Sequence, residues 1–164
     1  MGTRSGDLDP GVLSYLIQAR GLTPARVHHM VNHESGLLGV SDSSADMRDL
    51  LAQEDRDVRA AEAVGLFCYQ VRKGIGALAA ALGGVDTLVF AGGIGEHAAQ
   101  VRARVCAELS FLGIELDASL NAASAAVISA SASRPIVRVI RTDEELMIAR
   151  SVLGAVLRSD GGEH

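Results

Sequence analysis

The run Thr87-Leu88-Val89-Phe90-Ala91 carries no charge and stops abruptly at Gly92-Gly93-Ile94-Gly95. A short apolar run bounded by turn residues suits a buried strand, since a strand covered on both faces has no polar alternation to show. The glycines break the strand, and a helix through Val101 and Val105 is expected to follow. A buried strand handing its chain to a helix is the building unit of a layered α/β domain.

Helices are marked by their caps. Asp9-Pro10 reads as N-cap and first helical residue of a helix through Val12, Leu13, Leu16 and Ile17 that Gly21 stops. Thr23-Pro24 repeats the signal for a helix ending near Asn32. Ser35 to Ser41 is apolar but glycine-flanked, and is expected to be a buried turn or short strand. Ser43 or Ser44 is expected to cap a helix containing Asp46, Met47 and Arg48.

From Asp57 to Leu82, Val64, Phe67, Cys68, Val71, Ile75, Leu78 and Leu82 recur at three- and four-residue steps, the spacing of one buried helical face. Gly74 and Gly76 weaken this helix by roughly 1 kcal/mol each relative to Ala, and suggest close approach of another backbone. Further short strands are expected at Ile114 and Leu116, at Ala126 to Ser129 and at Ile136 to Ile140. Thr142-x-x-Glu145 reads as a capping box opening a last helix, and Ser159 to His164 as a disordered end.

A chain of 164 residues has room for one domain and a sizeable core. Fifteen basic against twenty acidic residues give a net charge of −5, which offers a nucleic-acid partner no electrostatic support. All basic residues but Lys73 are arginines in an alanine-rich chain; this reads as codon bias, so no arginine gains a role from its type alone. Cys68 and Cys106 are too few for a disulfide framework or zinc site. No stretch is long and apolar enough to span a membrane and no signal peptide is read before the first motif, so a cytoplasmic protein is expected.

Chemistry concentrates in three places. The glycine turn after Ala91 lets a backbone approach a ligand closely and presents helix N–H groups to an anion. It is neither GxGxxG nor a Walker A loop, and an ordinary tight strand–helix connection is the competing reading. Glu144, with no capping duty, suits a Mg²⁺ ion, a hard cation that pairs with carboxylates and phosphates; its alternative is to complement the helix dipole. At the start of the chain, Gly2 and Gly6 frame Arg4, a planar and always charged fork. This segment is either a frayed end or a phosphate-handling loop. The cluster His28, His29, His33 and Glu34 lacks metal-ligand spacing and reads as a surface helix face. Ser5 has no nearby base and is a poor nucleophile.

Five segments stand in a telling order: Met1 to Pro10, Glu34 to Ser41, Asp46-Met47-Arg48, Phe90 to Glu96, and Thr142 to Arg150. Together they closely resemble the C-terminal portion of the acetate/propionate kinase family, over Met1 to about Leu157. The resemblance implies the actin-like ATPase and sugar-kinase superfamily fold. It implies a nucleotide-binding domain over residues 1–143 that is truncated at its N-terminal side. Residues 144–158 would form a terminal helix that normally packs on another domain.

By the same resemblance, ATP and Mg²⁺ are the cofactors and acetate or another short carboxylate is the substrate. Arg4 matches the family's transition-state arginine, and Glu144 its magnesium ligand. Asp46, Met47, Arg48, Gly93, Ile94, Gly95, Glu96 and His97 match the segments that hold the adenosine part of ATP. His97 departs from the family, which usually has Asn there. Family members are dimers and more than twice as long. The isolated chain is expected not to turn over, with Arg4 poorly held; a propionate or butyrate kinase segment, a non-catalytic ATP-binding remnant, and one half of a split enzyme whose partner chain carries the front are the alternatives.

Overall fold

The computed structural model describes residues 2–159. Among them the chain forms nine α-helices and two strands. The tail residues 160–164 lie outside the described residues, and Ser159 closes the last helix instead of opening the tail.

The capped helices form where the sequence marks them. Helix α1 (Pro10–Gln18) starts at Asp9, whose Oδ1 accepts the Gly11 N–H at 2.7 Å. Helix α2 (Pro24–His33) starts at Thr23, whose Oγ1 accepts the Arg26 N–H at 3.2 Å. Ser35 to Ser41 does not form the expected turn or strand: Gly36–Ser41 is a short helix, α3. Its buried residues, Leu37 and Ser41, stand four apart, a helical rather than an alternating pattern. Gly39 is what lets this helix close on α2, because a Cβ there would meet the Glu34 carbonyl at 2.8 Å.

Helix α4 (Met47–Gln53) is capped by Asp46 and not by a serine. The Asp46 Oδ1 accepts the Arg48 N–H at 2.8 Å, while Ser44 donates to Asp49 and accepts from the Asp46 N–H. Helix α5 (Val58–Leu82) runs 25 residues from its Asp57 cap to Gly83, whose φ of 74° ends it in the left-handed region. Its buried stripe holds Ala60, Ala63, Val64 and Cys68, with Phe67, Val71 and Ile75 packed beside it. The expected stripe overshoots at its end: Leu78 and Leu82 are 66% and 78% exposed. Gly74 and Gly76 also face open space, so no neighbouring backbone explains them.

Strand β1 (Thr87–Phe90) pairs in parallel with β2 (Ile136–Val139), Thr87 opposite Ile136 and Phe90 opposite Val139. Parallel strands need a crossover, here made of helices α6 (Gly92–His97), α7 (Ala99–Cys106) and α8 (Ala118–Ala122) with a 3-10 turn at Ser110–Leu112. The strands expected near Ile114 and at Ala126 to Ser129 reduce to single antiparallel bridges, Leu116 with Ser129 and Val127 with Arg138. The first stays short because Asp117, the residue after Leu116, already caps α8, accepting the Leu120 N–H at 2.8 Å.

The core gathers Met47 and Leu50 of α4, Val64 and Cys68 of α5, Val101, Val105 and Cys106 of α7, and Phe90, Ile128 and Val137 around the strands. Helix α9 (Glu144–Ser159) follows β2 and leaves Leu146, Met147, Ile148, Val152 and Leu153 exposed. The Glu145 side chain of the expected Thr142 box lies outside the described part of the molecule. The Leu146 N–H is accepted by Asp143 at 2.9 Å, and the Thr142 hydroxyl is donated to Glu96. Among the described residues no helix is long and apolar enough to cross a membrane.

Candidate functional site

Two segments far apart in sequence converge on one cavity of about 660 Å³. One wall is the start of α4, with Asp46, Met47 and Arg48; the other is α6 and its exit, with Gly93, Ile94 and His97. Met47 is buried and anchors its wall in the core. Arg48 closes on Asp46, Nη2 to Oδ2 at 2.6 Å. That side-chain hydrogen bond, reinforced by the Arg48 N–H, holds the Asp46 carboxyl down at about 2.

The glycine turn is not a gap before a helix, as the sequence suggested; Gly92–His97 is itself helical. Gly92 has φ 71°, which favours glycine. Gly95 presses on the end of β1, where a Cβ would lie 3.2 Å from the Phe90 carbonyl carbon. Gly93 lines the cavity, and a Cβ there would meet nothing within 4 Å.

Glu96 is buried and turns back on the protein. Its Oε1 accepts the Thr142 N–H at 2.9 Å, the Thr142 hydroxyl at 2.8 Å and the Gly92 N–H at 3.0 Å. These bonds, those from Thr142 foremost, hold its carboxyl below the usual carboxylate range.

Arg102 on α7 is completely buried and has five hydrogen bonds to neutral acceptors. Nη1 donates to the Gly95 and Glu96 carbonyls at 2.8 and 3.0 Å. Nε and Nη2 donate to Asn121 Oδ1 and carbonyl at 2.8 and 2.7 Å, and Nη2 also reaches Ser124 Oγ. Burial pulls the guanidinium below its ordinary pKa. Sequence reasoning passed over this residue by discounting arginines as codon bias. Its spacing was the available signal, since Ala98, Arg102 and Cys106 stand four apart on one helical face.

Arg4 is elsewhere. It lines a second cavity of about 650 Å³, with Asp7, Glu34, Phe67 and Lys73, which shares no lining residue with the first. Its loop is better held than expected. The Ser5 N–H donates to the Val31 carbonyl, and the Thr3 and Gly2 carbonyls accept from the N–H groups of Ser35 and Leu38. Lys73 Nζ meets Asp7 at 2.9 Å. Glu144 heads α9, and its side chain lies outside the described part of the molecule. The histidines remain a surface feature: His29 sits 3.3 Å from Glu34 and is exposed, and among the described residues no three metal-ligating side chains converge.

The Acetokinase family model matches residues 1–150. The chain belongs to the acetokinase family. Acetate kinase of Rhodopseudomonas palustris strain TIE-1 is 51% identical over 154 residues, 93% of this chain and 38% of that protein. Propionate kinase of Citrobacter rodentium is 48% identical over 158 residues, 96% of this chain and 39% of that protein. The crystal structure of Porphyromonas gingivalis acetate kinase superposes with a TM-score of 0.87 at 43% identity, covering 95% of this chain and 40% of that one. This acetokinase-family chain therefore has part of the actin-like ATPase fold, and spans about two fifths of the length of the curated relatives it matches.

Proposed function

We propose that this acetokinase-family chain supplies the nucleotide-binding part of a carboxylate kinase. The enzyme would transfer the terminal phosphoryl group of ATP reversibly to acetate, or to a slightly longer carboxylate, giving ADP and the acyl phosphate. The observation that carries the reading is the convergence of Asp46, Met47 and Arg48 with Gly93, Ile94 and His97 on one cavity. An apolar wall with a few fixed polar groups suits a purine nucleoside. Met47 and Ile94 would flank the base, while Asp46, Arg48 and His97 offer hydrogen-bonding groups at the rim.

Arg4 would hold the charge that spreads over the equatorial oxygens of the transferring phosphoryl group, which a planar cation does well. Glu144 would hold Mg²⁺, whose charge offsets that of the phosphates. An ion that draws most of its oxygens from phosphates and water needs only one or two carboxylates. Arg4 and the nucleotide cavity belong to separate cavities. This separation supports an active site completed by further residues, such as those of a partner chain, and a chain that binds nucleotide without turning over. The exposed apolar residues of α5 and α9 support a covering partner, in a family-type homodimer or a complementing chain.

Calorimetric titration with ATP and ADP in the presence of Mg²⁺ should show one saturable site, weakened by Met47→Asp. An assay for acetyl hydroxamate from acetate, ATP and hydroxylamine should show no product. Absence of nucleotide binding would refute the site, and clear turnover would refute the need for a partner.

A further inference from the structure

We infer that Glu96 is a positioning residue: its carboxylate latches the turn after β1 to the connection after β2, and so keeps one wall of the cavity in shape. The functional part of this inference rests on the nucleotide reading above. The geometric part does not.

The latch sits where the two parallel strands part. The last ladder bond runs from the Ile140 N–H to the Phe90 carbonyl at 2.9 Å. Two residues further on, Thr142 donates from both its N–H and its hydroxyl to the single oxygen Glu96 Oε1. Glu96 thus acts as one more rung between chains that no longer run side by side. The same oxygen accepts from Gly92, the first residue of α6. Ala91, which precedes α6, provides no side-chain cap, and Gly92 holds a left-handed conformation that backbone sterics alone would not select.

At the other end of α6, Arg102 takes the carbonyls of Gly95 and Glu96. The helix that carries Gly93, Ile94 and His97 is therefore gripped at both ends, and these three residues face the cavity. Glu96 itself is not among the residues lining that cavity. A role through neighbours, not through direct contact with a ligand, follows from this arrangement.

The test compares Glu96→Ala, Glu96→Gln, Thr142→Val and the double variant Glu96→Ala/Thr142→Val in the full chain. Amide hydrogen exchange measured by NMR reads the latch without any ligand. In Glu96→Ala the Gly92 and Thr142 amides, fifty positions apart, should lose protection together, and in Glu96→Gln both should keep it. Retained protection at either amide in Glu96→Ala overturns the inference.

ADP titration reads the consequence. Glu96→Ala should weaken binding about tenfold, the scale of losing hydrogen bonds to a charged acceptor. Glu96→Gln keeps an acceptor oxygen and should stay near the native affinity. Thr142→Val should weaken binding less than Glu96→Ala, and the double variant should be no weaker than Glu96→Ala alone, as expected when one residue acts through the other. Additive losses, or a silent Thr142→Val beside a damaging Glu96→Gln, would mark Glu96 as a direct ligand and overturn the inference. A native chain that binds no ADP refutes the nucleotide reading, and the exchange experiment then decides the latch by itself.

Discussion

Arg102 offers the sharpest energetic prediction. Replacing it with Met fills much of the same volume but removes five donor contacts at once. Five acceptors lose this donor: the carbonyls of Gly95, Glu96 and Asn121, the Asn121 Oδ1 and the Ser124 Oγ; the Asn121 carbonyl keeps the Ser124 N–H at 3.0 Å. The two side-chain acceptors can turn towards other partners, but the Gly95 and Glu96 carbonyls are fixed by backbone and left unpaired. A buried acceptor left unpaired costs about 1–3 kcal/mol. Removing a buried charge also removes its desolvation cost, which favours the low end of that range. The expected loss is therefore about 2 kcal/mol, a large share of the roughly 5–15 kcal/mol of a typical domain.

Urea unfolding followed by far-UV circular dichroism would read this as a midpoint shift of about 0.7–2 M, for a slope of about 1–3 kcal/mol per M. Arg104, two residues away, is the control. It pairs with Glu54 through two contacts of 2.6 Å, but its side chain is 43% exposed. Arg104→Met should cost no more than about 1 kcal/mol. Equal losses at both positions would refute the argument, as would full stability of Arg102→Lys, whose single ammonium cannot bridge Asn121 and α6 as a planar fork does.

The two glycines of one motif should respond differently. Gly95→Ala forces a Cβ to within 3.2 Å of the Phe90 backbone and should destabilise by about 1–3 kcal/mol in thermal melts. Gly93→Ala meets nothing and should leave the melting temperature unchanged or raised, while weakening nucleotide binding by intruding on the cavity. The Asp46 carboxyl carbon, followed by NMR, should titrate near 2, and Arg48→Ala should move that midpoint towards the ordinary aspartate range. Because the folded value lies below the unfolded one of about 3.9, Asp46 contributes stability in full above that pH and loses it as the pH falls through about 2. Burial pushes Cys106 up to about 12 and also raises Cys68, so neither thiol should react with a disulfide reagent at pH 8 until the chain is unfolded.

What was legible in the sequence follows the range of the interactions involved. Asp9, Thr23 and Asp57 cap helices through bonds to residues two or three positions on, so α1, α2 and α5 could be placed from composition and spacing. Helices α3 and α6 are each six residues long and glycine-bearing, and owe their form to contacts with Glu34 and Phe90 that no local pattern records. At the site, the meeting of Asp46 to Arg48 with Gly93 to His97 was expected from family resemblance, not from the residues themselves. The Glu96–Thr142 bonds and the Arg102–Asn121 bonds span 46 and 19 positions, and were invisible for that reason. The exposed ends of α5 and α9 show the converse. There Leu78 and Leu82 continue the apolar spacing of α5, and Leu146 to Ile148 with Val152 and Leu153 give α9 an apolar content, yet the described residues leave these side chains exposed.

The register of the two strands has a consequence for the order of assembly. Every pair in it joins residues 49 positions apart, with three helices in the intervening loop. Closing a loop of that length costs about 3 kcal/mol of chain entropy before any ladder bond forms. Helix α5 meets α4 through a connection of only a few residues and can dock early. We therefore expect a folding nucleus on the helical side, with strand pairing, and with it the wall of the cavity at α6, formed afterwards. Substitutions of Val64 or Leu50 should then slow refolding in stopped-flow measurements, whereas Val137→Ala should chiefly speed unfolding. The reverse pattern would place the strands first.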